Sequence, residues 1–344
     1  VIARPTAGTP PASGVDAAPG ASGVATPGVA TPGVATLGVT TLGVHASLAE
    51  LIDIRHRARE VQLFSSPSRR SPLIGVHHSR LRGRGVDFDQ VRVYQAGDDV
   101  RTIDWRVTAR SQEPHTKLFH EERERPVFIL VEQSRRLFFG SGQAFKSVVA
   151  ARAASLFGWA ALGHNDRIGG LVFGDAEHYE IKPRRSKQSL LQLLGRLARV
   201  NGDLHQERAP DRDGFGLALR RAREVLRPGS LAVVLCDERA LSDTAEQQLG
   251  LLARHTDLIL LPLSDPLDRA LPAAGLLRFA DAGAQLELDT HDGELRLAYQ
   301  RQAEARLARW QRLSQKLGVL LMPLGTERDV VDQLREHLQQ RGGR

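Results

Sequence analysis

Cysteine is almost missing from this chain. The single Cys236 excludes any disulfide within it, a pattern that suits a reducing compartment. No apolar run approaches the roughly 18 residues needed to span a bilayer. The longest, around Leu231–Cys236 and Leu258–Leu263, read as buried strands. The first residues show no basic-then-apolar leader pattern, and the resulting expectation is a cytoplasmic protein. Aromatic residues make up only 5% of the sequence, too few to supply the stacking platforms of single-strand nucleic-acid binders. No Gly-x-Ser-x-Gly elbow or phosphate-binding Gly-x-x-x-x-Gly-Lys-Ser/Thr loop occurs, and no histidine is tied to Cys236 by a motif. His77, His78, His115 and His120 lack the companion spacing of a zinc site. Lysine is rare too: arginine supplies nearly all of the 47 basic residues.

What is present is a globular composition, with 41% hydrophobic and 25% charged residues in 344 positions. That length suits about two domains. Residues 1–46 are a different material, rich in Gly, Ala, Thr, Pro and Val, with a five-residue unit (GVATP, GVATP, GVATL, GVTTL) repeating from Gly23 to Leu42. Regular Gly and Pro oppose helix and sheet alike, so a disordered tail is expected. The net charge of +7 and the Arg-rich 55–84 stretch raise a nucleic-acid reading. An arginine-biased solvated surface accounts for the same charge.

Ser47, followed by Glu50, reads as a capping box opening a helix over Ser47–Leu63. From Pro126 onward, apolar strands alternate with helices. Strands are predicted at Val127–Val131, Arg167–Phe173, His178–Ile181, Leu231–Cys236, Asp257–Leu263, Gln285–Leu288 and Val319–Met322. Helices are predicted at Ala144–Leu162, Ser186–Ala198, Phe215–Leu226, Thr244–His255, Leu297–Leu317 and Val330–Gln339. The pattern implies an α/β fold: a three-layer, doubly wound, mostly parallel sheet preceded by a small helix-plus-β region. The division is a tail over 1–46, a helix and β region over 47–125, and the α/β domain over 126–344. Ligands of such sheets sit at the carboxyl ends of the strands, which directs attention to the loops after Val131 and Cys236.

The first of those loops carries Glu132, Ser134 and Arg136, and the second carries Asp237. An acidic residue and a serine two positions on can aim oxygens at one point. The string resembles the Asp-x-Ser-x-Ser loop of the metal-ion-dependent adhesion site in von Willebrand A domains, and Asp237 matches the acid of a later loop by position. The resemblance implies Mg²⁺ as the ion. Here, however, the second serine is Arg136, the aspartate is Glu132, and the stretch Asp211–Gly216 lacks the family's threonine. A guanidinium offers a hard cation no ligand. Arg136 therefore either swings away or places its own charge where the metal would sit, against Glu132 or Asp237. No cofactor is expected.

A second constellation runs Phe88, Arg92, Tyr94, then Gly97-Asp98-Asp99, Arg101, and Ile103-Asp104-Trp105. Carboxylates interleaved with Arg92, Arg101 and Arg106 are neutralised rather than catalytic. The run reads as an ion-paired corner, with Tyr94 and Trp105 packing there. It closely resembles the family catalogued as domain of unknown function 58, in which the same run precedes a von Willebrand A-like domain. The likeness extends over about residues 47–340, through Phe119-His120-Glu121-Glu122, Asp166-Arg167, Asp265-Pro266-Leu267 and Tyr299. It implies a non-enzymatic adaptor working with a MoxR-type AAA+ ATPase in complex assembly or maturation, docking through the face around Ser134 and Asp237. The alternatives are nucleic-acid binding through the 55–84 stretch and a divalent-metal-dependent enzyme using Glu132, Asp237 or Asp98 and Asp99.

Overall fold

A computed structural model describes residues 43–61, 63, 87–120, 125–175, 178–206, 213–281 and 284–342. Residues 1–42, which hold the repeat, lie outside the described residues, as do Arg69, Arg70, Arg80, Arg82 and Arg84; residues 43–46 of the expected tail are described, with Ala46 buried.

Ser47 caps the first helix, α1 (Leu48–Asp53), by accepting from the Glu50 amide at 3.2 Å. The Glu50 carboxylate does not return to the cap but pairs with Arg152 at 2.5 Å. The helix is also shorter than predicted. It tightens into a 3-10 turn at Ile54–His56, and Arg57 beyond it is gripped by Asp329 through two bonds of 2.9 Å. Leu51 is fully buried, and its carbonyl accepts from Ser155 and Trp159. The helix thus stands with the α/β body.

An antiparallel pair follows, β1 (Asp87–Val93) and β2 (His115–His120). Between them the chain makes a 3-10 turn at Val100–Thr102 and α2 (Trp105–Ser111). The body then alternates: β3 (Pro126–Glu132), α3 (Lys146–Gly163), β4 (Arg167–Phe173), β5 (His178–Arg184), α4 (Lys187–Asp203), α5 (Gly214–Val225), β6 (Leu231–Asp237), α6 (Asp243–Leu252) and β7 (Asp257–Ser264). A short α7 (Pro266–Arg269) leads to a hairpin, β8 (Leu276–Asp281) and β9 (Ala284–Asp289). The long α8 (Gly293–Leu317), the two-residue strands β10 (Leu320–Leu321) and β11 (Leu324–Gly325), and α9 (Val330–Gly342) complete it.

The central sheet runs β10-β7-β6-β3-β4-β5, with β11 also on β7. Every pairing is parallel except β4 with β5. Side chains of a strand alternate between faces, and here both faces are apolar. Val127, Ile129 and Val131 of β3 join one core with α1, α3, α4 and α9. Phe128 and Leu130 join the other with α5, α6 and α8. Three layers result, as the alternation of strands and helices predicts. Burial on nearly all sides explains why α3 is a run of Ala, Val, Leu and Phe with no polar stripe.

Differences from the predicted elements are short additions, among them α2, α7 and β8, and shifts at element ends. β8 is unanticipated, because Leu276–Asp281 lacks a clean alternation and acquires strand form by pairing with β9. α8 begins earlier than Leu297, where Asp292 accepts from the amides of Glu294 and Leu295. It ends at Gly318, whose φ of 65° is the left-handed cap that glycine adopts without strain. The strand predicted at Val319–Met322 is trimmed to two residues. Among the described residues, no helix is long and apolar enough to cross a membrane.

Candidate functional site: a closed charge network and an exposed loop

The strand-end carboxylates are brought together, but not as an open cup. Glu132 ends β3 and is buried; its Oε1 accepts from Ser134 Oγ at 2.5 Å and its Oε2 from the Asp237 amide at 2.8 Å. Asp237 ends β6 and is 1% exposed. Its Oδ1 accepts from the Arg239 amide at 2.8 Å, and its Oδ2 from Lys146 Nζ at 2.6 Å. Asp237 is therefore no surface carboxylate, and the pair Ser134 and Asp237 cannot itself form a docking face, since both are buried.

Lys146, in the first turn of α3, is the residue that sequence reasoning passed over. Its ammonium is 1% exposed and also donates to Asp268 Oδ2 at 2.9 Å. Asp268 is held on its other oxygen by the Arg239 guanidinium, and its Oδ2 also accepts from the Asp265 amide at 3.0 Å. Asp265 and Asp268 close a capping box around α7. Asp265 in turn accepts from Ser141 Oγ at 2.5 Å, from the Ser141 amide at 2.7 Å and from the Thr326 hydroxyl. Asp265 figures in the family resemblance without a role. The available signal for Lys146 was a lone lysine opening a largely apolar helix, in a chain that prefers arginine.

Arg136 takes the outward alternative. It is exposed and makes no hydrogen bond or ion pair among the described residues, although its charge still acts on Glu132 across the cleft they both line. The cation beside Asp237 is Lys146.

Electrostatics follow the geometry. Burial, reinforced by the charge of Asp237, raises the Glu132 carboxyl above its usual 4.5, against the pull of the Ser134 bond. Burial would lower Lys146, but Asp237 and Asp268 outweigh it and hold the ammonium above its usual 10.5. Burial would likewise raise Asp265, yet the bonds from Ser141 and Thr326 keep it below 3.8. Burial pushes the Cys236 thiol well above 9.0, which leaves it a poor nucleophile.

The metal implied by the adhesion-site resemblance can be tested against these donors. Ser134 donates its proton to Glu132, both Glu132 oxygens are taken, and Asp237 already faces an ammonium. A hard divalent ion wants several free oxygens in near-octahedral array. The side chains present do not fit it. Among the described residues, no group of three or more His, Cys, Asp or Glu is disposed to hold a metal.

The second constellation is a capped loop. Asp98 accepts from the Gln95 amide at 3.0 Å and from Arg92 at 2.6 Å. Asp99 accepts from the Arg101 amide at 3.0 Å and opens the 3-10 turn. Asp104 accepts from the Arg106 and Val107 amides at 3.0 and 3.2 Å, capping α2, and pairs with Lys117 at 3.5 Å. Gly97, at φ 106°, makes the turn that an L side chain resists. The expected ion pair is present for Asp98, but Asp99 and Asp104 bind backbone first. The expectation that Trp105 packs in the corner is not met: it is 70% exposed, whereas Tyr94 is half-buried. Trp105 stands at the first position of α2, outside the β1–β2 pairing that covers Thr116. Val100 and Val93 are exposed with it.

The clefts at the strand ends are small. One of about 30 Å³ is lined by Glu132, Ser134, Arg136 and Asp213. One of about 150 Å³ is lined by Gln133, Arg135, Asp175 and Arg199.

A family model described as protein of unknown function DUF58 matches residues 90–309. The uncharacterized proteins Mb1516 of Mycobacterium bovis and Rv1480 of Mycobacterium tuberculosis are each 30% identical over 259 residues, 75% of this chain and 80% of theirs. Among solved structures, the chain is similar to the conserved hypothetical protein BatB from Bacteroides thetaiotaomicron, with 13% identity, TM-score 0.39, and coverage of 63% of this chain and 98% of that one. It is also similar to a von Willebrand factor type A protein from Catenulispora acidiphila, with 10% identity, TM-score 0.34, and coverage of 66% and 43%.

Proposed function

This chain belongs to the DUF58 family of proteins of unknown function, and from that premise we propose that it is a non-enzymatic interaction module that presents its Gly97–Trp105 loop to a protein partner. The observation that carries the reading is the loop itself. Three carboxylates hold its backbone in place, while the largest apolar side chain in it faces solvent. A rigid scaffold under an exposed tryptophan is the arrangement of an interface anchor. The partner proposed is a MoxR-type AAA+ ATPase, as the family resemblance implies.

Support for a non-catalytic role comes from the strand ends, where the described residues offer no free reactant. The strand-end carboxylates are bound by amides and by Lys146, and Cys236 is buried. The strand-end clefts fall below the roughly 300–1,000 Å³ of small-molecule sites. The nucleic-acid reading draws on arginines that lie mostly outside the described residues. The metal-enzyme reading meets oxygens already engaged.

The test is calorimetric titration of the full chain with a purified MoxR-type ATPase from the same genome. Trp105→Ala is expected to weaken binding about tenfold or more, and Arg136→Ala to leave it unchanged. Undiminished binding by Trp105→Ala would remove the loop from the interface. No binding by the unaltered chain would remove the ATPase.

A further inference from the structure

We propose that Lys146 is a built-in cation of the strand ends, bridging Asp237 and Asp268 as a divalent ion could, so that this face works without metal. The proposal is independent of the docking reading and concerns a different part of the molecule.

The ammonium joins three elements at their ends. It donates to Asp237 at the close of β6 at 2.6 Å and to Asp268 in α7 at 2.9 Å, from the first turn of α3. The ring of Phe139 lies 5.9 Å from Nζ on a further side, within the range of a cation–π contact. The Lys146 amide donates to the Phe139 carbonyl at 2.8 Å, fixing where the side chain begins. Bridging carboxylates from separate loops and holding strand ends in register is the structural task of a bound cation. Here a covalently attached charge performs it.

The oxygens around it leave no coordination set. Asp237 Oδ1 is taken by the Arg239 amide and Asp268 Oδ1 by the Arg239 guanidinium. Glu132 is taken on both oxygens. A divalent ion entering here would have to expel the ammonium or stand beside it, and two cations a few ångströms apart repel strongly in a buried setting. Lysine supplies a compact charge with three donors on a flexible stem, which suffices to meet both carboxylates at once. In a chain with so little lysine, its use at this point is informative.

The experiment is titration of the full chain with Mn²⁺ and Mg²⁺ by calorimetry, with thermal melts in excess Mn²⁺ and in EDTA. The expected result is no saturable binding and the same Tm in both conditions. In Lys146→Ala, Asp237 loses its ammonium, Asp268 keeps only Arg239, and space opens between the two carboxylates. That variant is expected to melt lower, and Mn²⁺ is expected to raise its Tm while EDTA reverses the gain. Stoichiometric Mn²⁺ binding by the unaltered chain that disappears in Asp237→Asn would overturn the proposal. Binding that survives Asp237→Asn would lie elsewhere and leave the proposal standing. Should Lys146→Ala fail to fold, the titrations of the unaltered chain and Asp237→Asn decide the matter alone.

Discussion

Arg136 and Lys146 are both cations at the strand ends, Arg136 acting on Glu132 and Lys146 on Asp237 and Asp268, and the fold treats them in opposite ways. Arg136 is exposed and acts on Glu132 only through its charge, whereas Lys146 is buried and bonded between two aspartates. Removing one partner of a buried pair leaves an uncompensated charge, at a cost of about 3–5 kcal/mol. Lys146→Met should lower stability by that order in urea unfolding, with Asp237 and Asp268 left facing each other. Arg136→Met should change it by less than about 0.5 kcal/mol, as for other surface substitutions away from such features. Equal effects would mean that the burial of Lys146 has been misjudged. Trp105 belongs with Arg136 in this respect: exposed at 70%, it should be replaceable by alanine with little change in Tm, whatever happens to partner binding.

At the scale of elements, the Gly-Asp-Asp run shows how a motif can be visible and its purpose hidden. The acids and arginines alternate in sequence, so ion pairing was the natural expectation. The backbone reveals that Asp99 and Asp104 sit at the starts of a 3-10 turn and a helix, where amides lack partners. Carboxylates at such positions satisfy those amides and complement the helix dipole. Asp104→Ala should therefore cost about 1 kcal/mol, and the loss should be local. Hydrogen exchange at the amides of Arg106 and Val107 should quicken while that of β3 and β6 is unchanged. Exchange unaltered at those two amides would show that the cap is dispensable. The central strands, by contrast, were legible throughout, because apolar runs such as Val127–Val131 must be buried on both faces wherever they lie. Element ends were less so: β8 and the trimmed β10 owe their extent to pairing rather than to their own pattern.

For the whole molecule, opposed titrations shape the stability curve. Asp265 and Asp329 are held below the usual aspartate value, so their contribution is present above about pH 4 and is lost as pH falls through their lowered values. Glu132 has the reverse sign. Its folded value lies above 4.5, so the folded state binds more protons than the unfolded one just above that point. Its contribution is present below the unfolded value and is lost as pH rises through the folded one. Denaturation midpoints should fall off on the acid side, and a second decline should follow as Glu132 ionises. Glu132→Gln, which keeps an acceptor for the Asp237 amide, should remove that second decline and gain most over the parent on its alkaline side. An unaltered pH profile in Glu132→Gln would show that the buried carboxyl does not couple to folding.

The sequence by itself determined the architecture: the alternation of apolar strands and helices, the double-sided burial of the sheet, and the strand-end positions of Glu132 and Asp237. It also carried the family, through the run from Arg92 to Trp105. Only the tertiary structure decided which cation meets Asp237, that Asp265, Asp268, Ser141 and Thr326 join the same network, and that Trp105 faces solvent. The reason is physical. Periodicity and burial are properties of neighbouring residues along the chain. A buried ion pair between positions as distant as Lys146 and Asp268 exists only when separate loops are brought to one point and water is excluded from between them.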